Sequence, residues 1–273
     1  MFIVTVSEML GTKGEEIARQ LASSLNYAFY GDEEFFKASK EMGFPVDAET
    51  LDGKGQTTSR ESLGEKPKIY LGQLQSVIYE MAKKGNAVFF GRGSQLLLNA
   101  FECMFHVLIT GSMKKRIEGM MEEKKVSGEI AEKIIRQSDQ EKKEFLRFAF
   151  DEDWLSPHLY DLMINTDKLN IDSAARMVLD GVQSEEMKTC SADSIKSIGK
   201  FHLHYIIESV LSDSGLLTQY LHFTVEDIDS VRLHGLVGSL EKKEKVENLL
   251  KGIKEIKKIR NDLSIFRSPS GAI

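Results

Sequence analysis

Phe2-Ile3-Val4-Thr5-Val6-Ser7-Glu8-Met9-Leu10-Gly11-Thr12-Lys13-Gly14-Glu15-Glu16-Ile17-Ala18 is the stretch on which the fold turns. Apolar β-formers from Phe2 to Val6 read as a short buried strand, and Ser7 to Lys13 as a loop. Ile17, Ala18, Leu21, Ala22 and Leu25 then fall at helical spacing, which predicts a helix from Gly14 to Leu25. A tight strand–loop–helix of this kind aims backbone N–H groups and a helix dipole at phosphate. The Walker A spacing needs glycine, four residues, then Gly-Lys-Ser/Thr. Laid on this loop, Ser7 and Thr12 take the glycine positions, Lys13 the lysine and Gly14 the hydroxyl; the lysine alone matches.

Working outward, the 273 residues are 41% hydrophobic and 29% charged, enough for two globular domains. No apolar run approaches the ~20 residues that cross a bilayer. The N-terminus does not read as a signal peptide. Cys103 and Cys190 are too few for a disulfide framework, no Cys/His cluster has zinc spacing, and no metal ligand set is expected. A reducing cytoplasm fits this usage. The net charge of −6 argues against a nucleic-acid partner, although it falls wholly on residues 1–183, and residues 184–273 balance.

A polar stretch places a linker at 184–191, dividing a first domain (1–183) from a second (192–273). The first alternates strand and helix: a mixed region from Tyr30 to Pro67, a helix from Ile69 to Lys84, and a strand Ala87–Phe90 ending in Gly91-Arg92-Gly93. A strand Phe105–Ile109, two charged helices over 112–148, a strand Leu162–Ile164 and a helix Ile171–Val182 follow. Short apolar strands between helices predict an α/β fold with a parallel sheet covered on both faces. The second domain reads α-β-β-α-β, an α+β module. Its first helix carries an Ile195, Ile198, Phe201, Tyr205 stripe, Asp227-Ile228-Asp229 makes the hairpin turn, and Gly235 marks a bulge.

The loop at Gly11–Ala18, the Gly91-Arg92-Gly93 turn and the run Tyr160-Asp161-Leu162-Met163-Ile164-Asn165-Thr166-Asp167 together resemble the cytidylate-kinase-like branch of P-loop nucleoside monophosphate kinases. The resemblance implies an acceptor-binding insert at about 30–67 and a lid at about 114–154. It implies transfer of a phosphoryl group from ATP, with Mg²⁺, to a nucleoside monophosphate. Gly11, Thr12, Lys13, Gly14 and Glu15 would form the ATP loop. Lys13, Arg92, Arg136 and Lys142 would be the catalytic cations, with Arg116 and Arg147 as further lid bases. Asp32, Arg92 and Gly93 would hold the acceptor.

The chain departs from that pattern where charge matters most. Glu8 and Glu15 stand where the family usually has arginine, Gly14 lacks a Mg²⁺-ligating hydroxyl, and Lys142 replaces a more frequent arginine. Two readings follow: a live cytidylate-like kinase, or a degenerate kinase-like regulatory protein acting through its second domain. Against both stands the plainer view that Lys13 is a solvated helix-start lysine and Arg92 one half of a salt bridge. His106 reads as a satisfied core residue.

The second domain is similar to a BON domain in Leu221–Val225, Val231–Ser239 and Ile256–Leu263. That resemblance implies a protein or an anionic lipid surface as partner, helped by a modest excess of lysine beyond Glu241.

Overall fold

The computed structural model describes residues 2–42, 66–188 and 192–266. The chain divides into two units, Met1–Ile195 and Lys196–Ile273.

In the first unit the apolar runs become strands β1 (Ile3–Glu8), β2 (Ala28–Tyr30), β3 (Ala87–Phe90), β4 (Met104–Thr110) and β5 (Leu162–Asn165). They form one parallel sheet in the order β2-β3-β1-β4-β5. Central β1 is buried from Ile3 to Ser7, as a strand with neighbours on both sides and helices on both faces must be. Helices α1 (Gly14–Leu25) and, later in the chain, Ile171–Val182 cover one face. There Ile17, Leu21, Val178 and Val182 close on Val4, Val6, Val107 and Ile109. Truncating one of these side chains to alanine would cost about 2–5 kcal/mol.

The mixed region holds elements that its charged sequence hides. Edge strand β2 is only three residues long, and α2 (Asp32–Glu41) begins where the Glu34 carboxylate accepts the Gly31 N–H at 3.0 Å. Beyond Met42 the expected acceptor insert lies outside the described residues until α3 (Lys66–Ala82). The short helix α4 (Ser94–Leu97) follows β3. Helices α5 (Met113–Lys124) and α6 (Gly128–Phe150) fill the expected lid, capped at their N-termini by Ser112 and Ser127. They close over a small core of Met120, Ala131 and Ile135. Helix α7 (Ile171–Val182) ends the sheet region. The stretch read as linker contains a one-turn helix, α8 (Glu185–Lys188). Because the strands are parallel, the loops after β1, β3, β4 and β5 gather at one edge of the sheet, where such folds bind ligands.

The second unit has α9 (Ala192–Asp213), β6 (Leu221–Asp227), β7 (Ser230–Val237), α10 (Leu240–Lys251) and β8 (Lys258–Ile265). Strands β6 and β7 are antiparallel, β7 and β8 parallel. One sheet face packs on the helices through Leu203, Ile207, Leu211, Val231, Leu233 and Val246. Two sequence expectations are corrected here. Phe201 is 47% exposed, while Ile198 of the expected stripe is buried and the stripe continues through Leu203, Ile207 and Leu211. The bulge lies between Val225 and Asp227. Gly235 answers a different need: at φ +109° a Cβ would stand 2.1 Å from the Tyr220 carbonyl oxygen.

Candidate functional site

The loop after β1 turns into α1 through two residues of left-handed backbone, Gly11 (φ 92°) and Lys13 (φ 61°). Its back rests on α5 with no side chain between. A Cβ on Gly119 would lie 2.6 Å from the Gly11 carbonyl oxygen, and one on Gly11 would lie 2.5 Å from that of Arg116. Arg116 is 2% exposed. Its Nε donates to the Leu10 carbonyl at 2.8 Å, and its two terminal nitrogens grip both oxygens of Asp139 at 2.8 and 2.6 Å. A guanidinium assigned to the lid thus ties loop, α5 and α6 together.

At the start of α1 a backbone N–H meets a carboxylate. Glu8 Oε2 accepts the Gly14 backbone N–H at 2.8 Å and the Thr12 hydroxyl at 3.4 Å. Gly14 makes this possible: a Cβ there would come within 2.6 Å of Glu8 Cβ and 2.8 Å of Oε2. Burial pushes the Glu8 carboxyl above the usual carboxylate range, while the Lys142 charge and the Gly14 N–H pull it down. Lys142 donates to the Glu8 carbonyl oxygen at 2.7 Å and lies 5.5 Å from the centre of the Trp154 ring. Burial lowers its pKa, with the Glu8 charge acting against that fall.

The other cations are distributed as follows. Lys13 pairs with Glu122 of α5 at 3.2 Å, an open contact with the lysine 43% and the glutamate 71% exposed. Glu15 pairs along its own helix with Arg19. Arg136 does the same with Glu132 and is 65% exposed, and Arg147 is exposed. Arg92, itself at φ 61° between Gly91 and Gly93, clasps Asp32 at 2.7 and 2.9 Å. The structure therefore brings together Lys142, Gly14 and Glu8, and separately Arg92 with Asp32. It turns Arg136 outward.

Beside the loop opens a cavity of about 280 Å³ lined by the expected loop residues Gly11, Thr12 and Lys13 together with Lys115, Thr166 and Asn170, among others. Its size and mixed lining suit a small ligand. Thr166 and Asn170 were visible only as part of a strand–helix junction. Asp139, Glu122 and Gly119 carried no signal of their own, because a guanidinium's partner on another helix is set by tertiary packing. Among the described residues no group of three His, Cys, Asp or Glu side chains is assembled for a metal ion, and no helix is long and apolar enough to cross a membrane.

A parallel five-stranded sheet flanked by helices, with a lysine-bearing loop after its central strand, is the α/β class this unit defines. Residues 3–168 match the model of the cytidylate kinase-like family, and the chain belongs to that family. An uncharacterized protein from Eubacterium ventriosum ATCC 27560 is similar in fold, with TM-score 0.54 and 20% identity over 67% of this chain and 99% of that one. Shikimate kinase from Bacteroides thetaiotaomicron aligns at TM-score 0.42 and 12% identity, over 67% and 99% of the two chains. A gluconokinase from Sinorhizobium meliloti 1021 aligns at 0.40 and 13%, over 66% and 91%. A search of curated proteins returns no match.

Proposed function

We propose that this protein is a kinase-fold nucleotide-binding protein that regulates rather than transfers phosphoryl groups. The observation that carries the reading is the Glu8 carboxylate bonded to the Gly14 N–H. A phosphate and a carboxylate cannot share that N–H. Two negative charges about 4 Å apart repel by about 4 kcal/mol at a protein-surface dielectric. That alone is roughly a thousandfold in affinity. Reversed charge at Glu15 adds to it. As it stands the loop does not fit a triphosphate and Mg²⁺: the helix-start N–H is occupied, and Gly14 brings no hydroxyl for the metal. The adjoining cavity still suits the base and sugar of a nucleotide, so binding without transfer is the activity the geometry favours. The second unit, BON-like in element order, would carry the output.

A live kinase is the second reading, and one observation favours it. Arg92 and Asp32 stand together at the ligand edge of the sheet, where an acceptor phosphate would be held. Under this reading ATP and Mg²⁺ displace Glu8, and cytidylate is the first acceptor to try. A coupled assay with ATP, Mg²⁺ and CMP, UMP, AMP or dGMP decides. The proposal expects no turnover with any acceptor, together with a thermal shift on adding a nucleoside or nucleoside monophosphate. Turnover with any acceptor overturns it in favour of the kinase.

A further inference from the structure

The sheet of the second unit has a second face that neither helix covers. Strand register sorts its residues into rows across β6, β7 and β8. Tyr220 lies just before β6, beside Leu236 and Ser264. The next row is His222, His234 and Asp262, and the next Thr224, Arg232 and Arg260. Asp227, Ser230 and Lys258 make the last. Alternation along each strand puts all of these opposite the buried Leu221, Val231, Leu233 and Leu263. Phe266 continues that alternation past Ser264, its N–H still bonded to the Val237 carbonyl oxygen.

Two properties of this face are unusual for a solvated sheet. Rings crowd one end: Tyr220 and Phe266 are each 58% exposed, and the His222 and His234 rings stack at 5.7 Å with 28° between planes. Paired charges hold the other. Arg232 and Arg260 both turn to the single Asp262 carboxylate, at 2.7 and 2.9 Å, and remain 42% and 63% exposed. Two guanidiniums share one carboxylate here, and in the next row Asp227 and Lys258 lie on either side of Ser230. Successive rows lie about 6.6–6.8 Å apart, two strand residues. That spacing suits a chain whose flat groups and anionic links alternate at similar intervals.

We propose that this open face binds single-stranded nucleic acid, bases stacking on the Tyr220, His222, His234 and Phe266 end and phosphates meeting Arg232, Arg260 and Lys258. The choice of a single strand follows from the rings, which need base faces that a duplex hides. A membrane is the poorer fit. Asp262 and Asp227 lie on the same face as the rings, so an acyl interface would desolvate carboxylates, whereas a nucleic-acid strand leaves them wet. The chain's net charge of −6 is no obstacle, because residues 184–273 carry none of it. This proposal is independent of what the phosphate loop does.

The test uses the full chain and fluorescein-labelled 12-nucleotide mixed-sequence RNA and DNA, the matching duplex, and vesicles containing phosphatidylserine. Expected is an anisotropy rise with the single strands, weaker with duplex, falling as salt rises with the shallow slope of two or three phosphate contacts. Tyr220→Ala with Phe266→Ala should weaken binding roughly tenfold or more while leaving the salt slope in place. Arg232→Ala with Arg260→Ala should weaken binding and flatten the slope. Unchanged far-UV circular dichroism excludes misfolding in either variant. Equal binding of duplex, binding of vesicles alone, or no binding to any probe overturns the proposal.

Discussion

The loop after β1 and the open sheet face both carry charges and do opposite things with them. At the loop, Lys142 meets the Glu8 carbonyl, Arg116 meets Asp139 and Leu10, and Glu8 itself takes the Gly14 N–H. These contacts are short and part-buried, so their electrostatics are turned inward and hold the loop, α5 and α6 as one block. On the open face, Arg232 and Arg260 converge on one carboxylate and keep much of their surface in water. The comparison teaches that cationic residues in a family's catalytic positions do not make a cationic site; where their partners lie decides it.

Stability separates the two regions most sharply. Arg116→Ala leaves Asp139 and the Leu10 carbonyl without their partner in a part-buried place. It is expected to cost about 3–5 kcal/mol, a fall of roughly 10 °C in the melting of the first unit. Arg260→Ala, a mostly exposed pair, is expected to leave the melting temperature unchanged. Equal effects measured by calorimetry would break the contrast.

A smaller effect tests whether Glu8 and Gly14 are one feature. Gly14→Ala should destabilise by about 1–3 kcal/mol in urea unfolding, because its Cβ has no room beside Glu8. In a Glu8→Gly background the same change should be close to neutral. Equal cost in both backgrounds would show that the two residues are unrelated.

The smallest effect concerns His106 in β4, whose Nδ1 lies 2.7 Å from the Thr5 hydroxyl oxygen. Burial lowers its pKa from 6.5, with the Asp161 charge opposing. The folded state thus resists the proton that the unfolded chain accepts. Its contribution is present above pH 6.5 and is lost as pH falls below that value. The urea midpoint should drop between pH 7 and pH 5, and His106→Gln should flatten part of that drop. A slope identical in the variant would assign the pH dependence to other groups.

How much of this was legible in the sequence follows from how local each signal is. Helices α1 and α7 could be read to the residue, because apolar spacing within one element fixes them, whereas β1 runs on through Ser7 and Glu8, which read as loop. Strand β2 and helix α2 were hidden: three edge residues and a charged helix carry little apolar pattern. The BON-like resemblance is carried no further than the αββαβ order. At the site, Glu8 and Gly14 were each visible as a departure from a phosphate loop. Their being a single contact was not, since a carboxylate six residues from an N–H meets it only through the turn at Gly11–Lys13. The partners of Lys13 and Arg116, Glu122 and Asp139, were beyond reach for the same reason.

The proposed function stands or falls on whether Glu8 keeps phosphate from the Gly14 N–H. Titration calorimetry of ATP with Mg²⁺ against the wild-type chain and Glu8→Ser tests it most directly. The account predicts negligible binding to wild type and a gain of roughly a thousandfold in the variant. Tight binding of ATP to wild type, or the same affinity in both proteins, would contradict it.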